Sequence, residues 1–154
     1  MKTILITGAT SGIGLAAAKK LANDENQLIL CGRRQQKLDE ISKELSAITN
    51  VLSLCFDVSD KNEVNKILGN LPEKFSSIDI LINNAGNAHG LDTIQEGSLD
   101  DWDNMIDSNV KGLLYVSRII MPKMIENQSG HIINIGSLAG REVYEKGNIY
   151  CATK

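Results

Sequence analysis

Short runs of Ile, Leu and Val recur along the chain, separated by stretches whose apolar residues fall at helical spacing. Ile4-Leu5-Ile6, Leu28-Ile29-Leu30, Val51 to Phe56, Ile78 to Ile82 and Ile132 to Ile135 are the apolar runs. Their brevity and continuity predict strands buried on both faces, the mark of a parallel sheet. Between them Leu38, Ile41 and Leu45 share one helical face, as do Val64, Ile67, Leu68 and Leu71. Ser98 with Asp101 resembles a capping box. It opens a long helix carrying Trp102, Met105, Ile106, Val110 and Leu113, which Pro122 should kink or end. Strand-helix alternation implies right-handed crossovers and an α/β, doubly wound parallel sheet with helices on both faces. With no linker and no repeat, one domain is expected.

Composition narrows the class without changing that picture. A chain of 154 residues suits one domain with a real core. A net charge of -3 gives no reason to expect nucleic acid or an acidic membrane surface as partner. No apolar run approaches the ~18 residues of a membrane span, and Met1-Lys2-Thr3 leads straight into Ile4 without signal-peptide anatomy. Cys31, Cys55 and Cys151 are odd in number and widely spaced; two of them end apolar runs and are expected to be reduced, buried thiols. The expectation is a soluble protein of the cytoplasm. His89 and His131 lack metal-ligand spacing to cysteines or carboxylates, so no metal site is expected.

Candidate chemistry begins in the first turn. Thr7-Gly8-Ala9-Thr10-Ser11-Gly12-Ile13-Gly14 follows the first apolar run and leads into an alanine-rich helix. Glycines there let the backbone turn tightly and approach a pyrophosphate at a helix N-terminus. The spacing is Gly-x-x-x-Gly-x-Gly rather than Gly-x-Gly-x-x-Gly, and no Lys-Ser/Thr follows, which excludes a Walker A loop. After the second strand stands Cys31-Gly32-Arg33-Arg34, where an NAD site would offer an acid to the ribose. Two guanidiniums there suit a 2′-phosphate, and NADP(H) is the expected cofactor, with Arg33 weighted above Arg34. At the other end, Tyr150 and Lys154 lie four apart and share a helix face. A cation beside a phenol favours the phenolate and suits it to general acid-base work.

Taken together, these segments resemble the short-chain dehydrogenase/reductase family, whose fold is a Rossmann-type sheet. Thr7-Gly8-x-x-x-Gly12-x-Gly14 fits its cofactor turn, and Asp57-Val58 fits its adenine-contacting acid. Asn83-Asn84-Ala85-Gly86 fits the segment that supports the central sheet and lines the cofactor. Asn109 fits the helix asparagine, Ser137 the catalytic serine, and Tyr150 with Lys154 the Tyr-x-x-x-Lys pair. A narrower likeness, through Arg33-Arg34, Asp101-Trp102, Met105-Ile106-Asp107, Lys111-Gly112-Leu113, Gly130 to Ser137 and Tyr144 to Lys154, is to the NADP-dependent 3-hydroxy acid dehydrogenases.

The resemblance implies hydride transfer between NADP(H) and a small 3-hydroxy acid or secondary alcohol, or the corresponding carbonyl. In it Tyr150 is the acid/base, Ser137 holds the substrate oxygen and Lys154 binds the nicotinamide ribose. Asn109 holds a water linking Lys154 to solvent. It also implies a homodimer or tetramer, and a sheet continued past residue 154. Residues 1–154 are then the N-terminal part of a longer single-domain enzyme, a Rossmann sheet that is C-terminally incomplete. Competing readings are a non-catalytic NADP-binding or regulatory protein of the same fold, a 3-oxoacyl-thioester or other carbonyl reductase, and a sugar-nucleotide epimerase. The last usually carries Gly-x-x-Gly-x-x-Gly, which Gly8, Gly12 and Gly14 do not match.

Overall fold

A computed structural model describes residues 1–154. Five parallel strands stand in the order β3-β2-β1-β4-β5: β1 (Lys2–Thr7), β2 (Asn26–Gly32), β3 (Val51–Cys55), β4 (Ile80–Asn83) and β5 (His131–Asn134). The helices are α1 (Gly12–Leu21), α2 (Gln35–Leu45), α3 (Lys61–Leu68), α4 (Leu99–Ile106), α5 (Leu113–Glu126) and α6 (Asn148–Thr153). No helix is long and apolar enough to cross a membrane.

The period-two alternation of side chains distributes the apolar runs between two cores. Ile4, Ile6, Leu28, Leu30 and Ile82 point to one face, where Ala18 of α1 and Leu38, Ile41 and Leu45 of α2 cover them. Leu5, Ile29, Cys31 and Leu81 point to the other, against Val64 and Leu68 of α3 and Val116, Ile120 and Met124 of α5. Both cores are fully buried at their centres, and each fully buried Leu or Ile contributes roughly 1.5–3 kcal/mol relative to exposure. Burial pushes the Cys31 thiol up and keeps it neutral.

Three expectations are corrected. The edge strands are not buried on both faces: β3 is half-buried and ends exposed at Cys55, while His131 and Asn134 of β5 are exposed. Cys55 is therefore an exposed thiol, not a buried one. Strand limits also move: β3 stops before Phe56 and β4 starts after Ile78, although both residues are buried in the core.

Pro122 does not end its helix. α5 continues to Glu126, and because Pro122 and Arg118 are both exposed, the carbonyl that lost its i+4 donor faces water. The interruption lies earlier. Ser98 Oγ accepts from the Asp101 amide at 3.3 Å and starts α4 as expected, but Asp107–Gly112 then widens into a π-helical turn before α5. Such turns concentrate at functional positions, and this one contains Asn109.

Candidate functional site

The strand order reverses beside β1, so the helices that follow β1 and β4 lie on opposite faces of the sheet and a crevice opens at the carboxyl ends of the strands. That is where doubly wound sheets bind ligands. A cleft of about 720 Å³ opens there.

Its nucleotide end is made by backbone. Gly8 and Gly12 have φ of +65° and +54°, conformations that other residues adopt only under strain. A Cβ on Gly8 would stand 2.9 Å from the Ala85 Cα, and one on Gly14 would overlap the Gly8 carbonyl and the Asn84 amide. Asn84 Nδ2 in turn donates to the carbonyls of Thr7 (2.9 Å) and Gly8 (3.1 Å). Thr7 Oγ1 accepts from the amides of Asn84 and Ala85, both at 3.0 Å. The β1 and β4 loops are thus locked together, leaving Gly12 and Ile13 at the N-terminus of α1 facing the cleft, where amides lack intrahelical partners.

Farther out, Arg34 crosses to the turn. Its Nη2 donates to Thr10 Oγ1 at 2.7 Å and Ser11 Oγ at 2.8 Å. Gly32 makes the crossing possible, since a Cβ there would lie 2.7 Å from Thr10 Cγ2. Arg33 Nη1 pairs with Asp57 Oδ2 at 3.2 Å. Partial burial tends to raise the Asp57 carboxyl, but hydrogen bonds from the Ser59 amide and hydroxyl, with Arg33, outweigh it and hold the group below its ordinary value. Val58 lines the cleft next to Asp57.

The other end is made by side chains. Ser137, Tyr150, Lys154, Ala85 and Gly86 face the same cleft. Ser137 caps a short 3₁₀ turn, its Oγ accepting from the Ala139 amide at 3.2 Å; that bond leaves the hydroxyl free to donate. Lys154 Nζ donates to the Ile135 carbonyl at 2.8 Å. Gly86 is required by crowding: a Cβ there would be 2.9 Å from Asn109 Oδ1 and 3.4 Å from Lys154 Nζ.

Gly14, Asn83 and Asn109 stand behind the cleft rather than in it. Asn83 is buried, and its Nδ2 donates to Ser117 Oγ at 3.0 Å and Asn134 Oδ1 at 2.9 Å, tying β4 to α5 and β5. Asn109 Oδ1 accepts from the Asn87 amide at 2.8 Å, and its Nδ2 donates to the Asn87 carbonyl at 2.9 Å. Asn87 and Ser108, bonded to each other at 3.0 Å, also line the cleft. Neither was legible as a site residue, because an Asn and a Ser carry no spacing signal alone. His89 lies apart, in a small recess beside Asp101 and Trp102, and Tyr144 packs near Gly147 and Cys151 outside the cleft.

A family model described as short chain dehydrogenase matches residues 2–154, and the chain belongs to that family. It is 43% identical over 151 residues to the NADP-dependent 3-hydroxy acid dehydrogenase YdfG of Shigella flexneri, covering 98% of this chain and 60% of that protein. Against the NADP-dependent 3-hydroxy acid dehydrogenase of Schizosaccharomyces pombe it is 44% identical over 156 residues, covering 99% and 60%. Among solved structures, the closed form of serine dehydrogenase complexed with NADP+ superposes with a TM-score of 0.94 at 42% identity, covering 99% of this chain and 60% of that one. NAD+-bound xylitol dehydrogenase superposes at 0.93 with 28% identity, covering 99% and 59%. The chain thus spans about 60% of the length of the curated relatives it matches.

Proposed function

We propose that the chain forms the cofactor and acid/base site of an NADP-dependent dehydrogenase of small 3-hydroxy acids or secondary alcohols. The observation that carries this is one cleft joining the glycine turn and two arginines to Ser137, Tyr150 and Lys154. The cleft's residues fit the dinucleotide: Gly12 has open space where a Cβ would be, beside helix amides that suit a pyrophosphate. Arg34 reaches the turn and Arg33 pairs with Asp57, and both guanidiniums line the cleft where a 2′-phosphate would need positive charge. The names of the relatives, with NADP in them, support the same reading.

NADP(H), when bound, supplies the hydride chemistry. The chain's own groups orient the reactants and handle the proton. Tyr150 Oη takes the hydroxyl proton as the substrate's carbinol C–H bond breaks, and returns it in reduction. Ser137 Oγ donates a hydrogen bond to the substrate oxygen where charge develops. Lys154 adds positive charge at that end and would hold the cofactor's ribose. Asp57, steadied by Ser59 and Arg33, would contact the adenine.

On this reading residues 1–154 correspond to the nucleotide-binding part of the longer relatives. Free thiols at Cys31, Cys55 and Cys151 accord with the reducing cytoplasm. Val110, Leu114, Met121 and Ile125 form an exposed stripe along one helical face, the kind of surface a second subunit would cover in a dimer or tetramer. The test is cofactor-linked turnover of small 3-hydroxy acids, including serine and 3-hydroxypropionate. NADP⁺ reduction is expected with at least one of them. NADPH binding without turnover on any acid, alcohol or carbonyl would favour the non-catalytic alternative.

A further inference from the structure

The geometry points to Thr153 as a positioning residue: its hydroxyl couples Asn109 to the helix turn that carries Tyr150. Thr153 Oγ1 donates to the Tyr150 carbonyl at 3.0 Å and stands 3.0 Å from Asn109 Nδ2. A hydroxyl has one proton, a carbonyl can only accept, and an amide nitrogen can only donate. The direction of both bonds is therefore determined: Asn109 to Thr153 to Tyr150.

The other side of the link is equally determined. Asn109 Oδ1 accepts from the Asn87 amide, which fixes the orientation of the side-chain amide, and its second N–H goes to the Asn87 carbonyl. Asn109 is buried and sits in the π turn between α4 and α5, where extra width in the helix carries its side chain toward the β4 loop. The chain of bonds thus joins the loop after β4, the π turn and α6. α6 needs such a tie, because it is six residues long and no residue in it is fully buried. A helix this short is not stable alone and depends on tertiary ties. Without the Thr153 hydroxyl, Asn109 keeps its clasp on Asn87, while the Tyr150 turn loses its bond to Asn109.

The functional consequence rests on the dehydrogenase reading above, so the test has one arm that does not. Thr153→Val removes the hydroxyl at constant shape, and Thr153→Ser restores it. In the nucleotide-free protein, the Asn109 side-chain amide is observed by ¹⁵N NMR. The valine variant is expected to move one of its two proton resonances and speed its exchange on the order of 10-fold, with serine returning both toward wild type. In turnover, valine should lower kcat roughly 10-fold or more, as loss of orientation does, with NADPH affinity and thermal midpoint nearly unchanged and with serine rescuing. Unmoved Asn109 resonances in the valine variant would overturn the link. A serine variant as slow as valine would overturn the role of the hydroxyl, leaving only shape. An inactive wild type, assayed at the full length of the relatives, would sink the dehydrogenase reading while the amide resonances still decide the link.

Discussion

Around Gly8 and Gly14 the cleft is shaped by main chain pressed against main chain, with β1 and β4 buried beneath it. Around Tyr150 it is shaped by single hydrogen bonds from side chains, on a short helix preceded by strained backbone: Lys146 and Asn148 both have positive φ. The side-chain hydrogen bonds that hold that end are those of Asn148 to the Asp92 carbonyl, Lys154 to the Ile135 carbonyl and the Thr153 link. The difference teaches that the two ends should fail differently. Damage at the glycine turn should cost stability and nucleotide binding together. Damage at α6 should cost turnover while leaving the fold and the nucleotide site in place.

The sharpest separation comes from Tyr150→Phe. Loss of a general acid/base typically costs about 10²–10⁴-fold, so kcat should fall into that range while calorimetric NADPH affinity stays nearly intact. Gly14→Ala tests the opposite end. Its new methyl meets the Gly8 carbonyl and the Asn84 amide, and overpacking of this kind costs about 1–3 kcal/mol. A lowered thermal midpoint accompanied by lost NADPH binding is expected; a stable variant that binds normally would break the contrast.

Smaller effects divide the nucleotide end itself. Arg33→Ala and Arg34→Ala should each weaken NADPH more than NADH, by roughly 10-fold or more if a charged hydrogen bond is lost. Equal losses for both nucleotides would show that the arginines only organise Asp57, Thr10 and Ser11. The smallest effect concerns pH. Asp57 is held below its ordinary value of 3.8 in the folded chain, so its ionised form adds stability that is present above that value. The contribution is lost as pH falls through the lower, folded value. The pair is half-open to solvent, so the contribution is on the order of 0.5 kcal/mol. Asp57→Asn should lower the thermal midpoint slightly at neutral pH, with the difference closing in strong acid.

Much of the nucleotide end was legible in the sequence because local rules dictate it. Ile4, Leu5 and Ile6 can only be buried by splitting between two faces, and Gly8 and Gly12 announce a turn that other residues resist. The parallel, doubly wound sheet follows from alternation and handedness, whereas the place of its reversal, beside β1, does not. What escaped the sequence depends on tertiary placement. Nothing local in Asp107–Gly112 announces a π turn, since its residues suit an ordinary helix too. Edge position, which leaves Cys55 and His131 exposed, belongs to the sheet and not to the strand's own composition. The Arg33–Asp57 and Asn109–Thr153 pairs join residues 24 and 44 positions apart, beyond any spacing rule.

On the reading proposed above, this cleft would pass a hydride from the alcohol carbon to NADP⁺ while Tyr150 takes the hydroxyl proton. Oxidation of 3-hydroxypropionate deuterated at the alcohol carbon, with mass analysis of the nucleotide, tests it directly. Wild-type protein should yield NADPH carrying deuterium, and Tyr150→Phe should yield almost none despite binding the nucleotide. Failure of the wild type to label NADPH from this or any related hydroxy acid, or equal labelling by Tyr150→Phe, would contradict it.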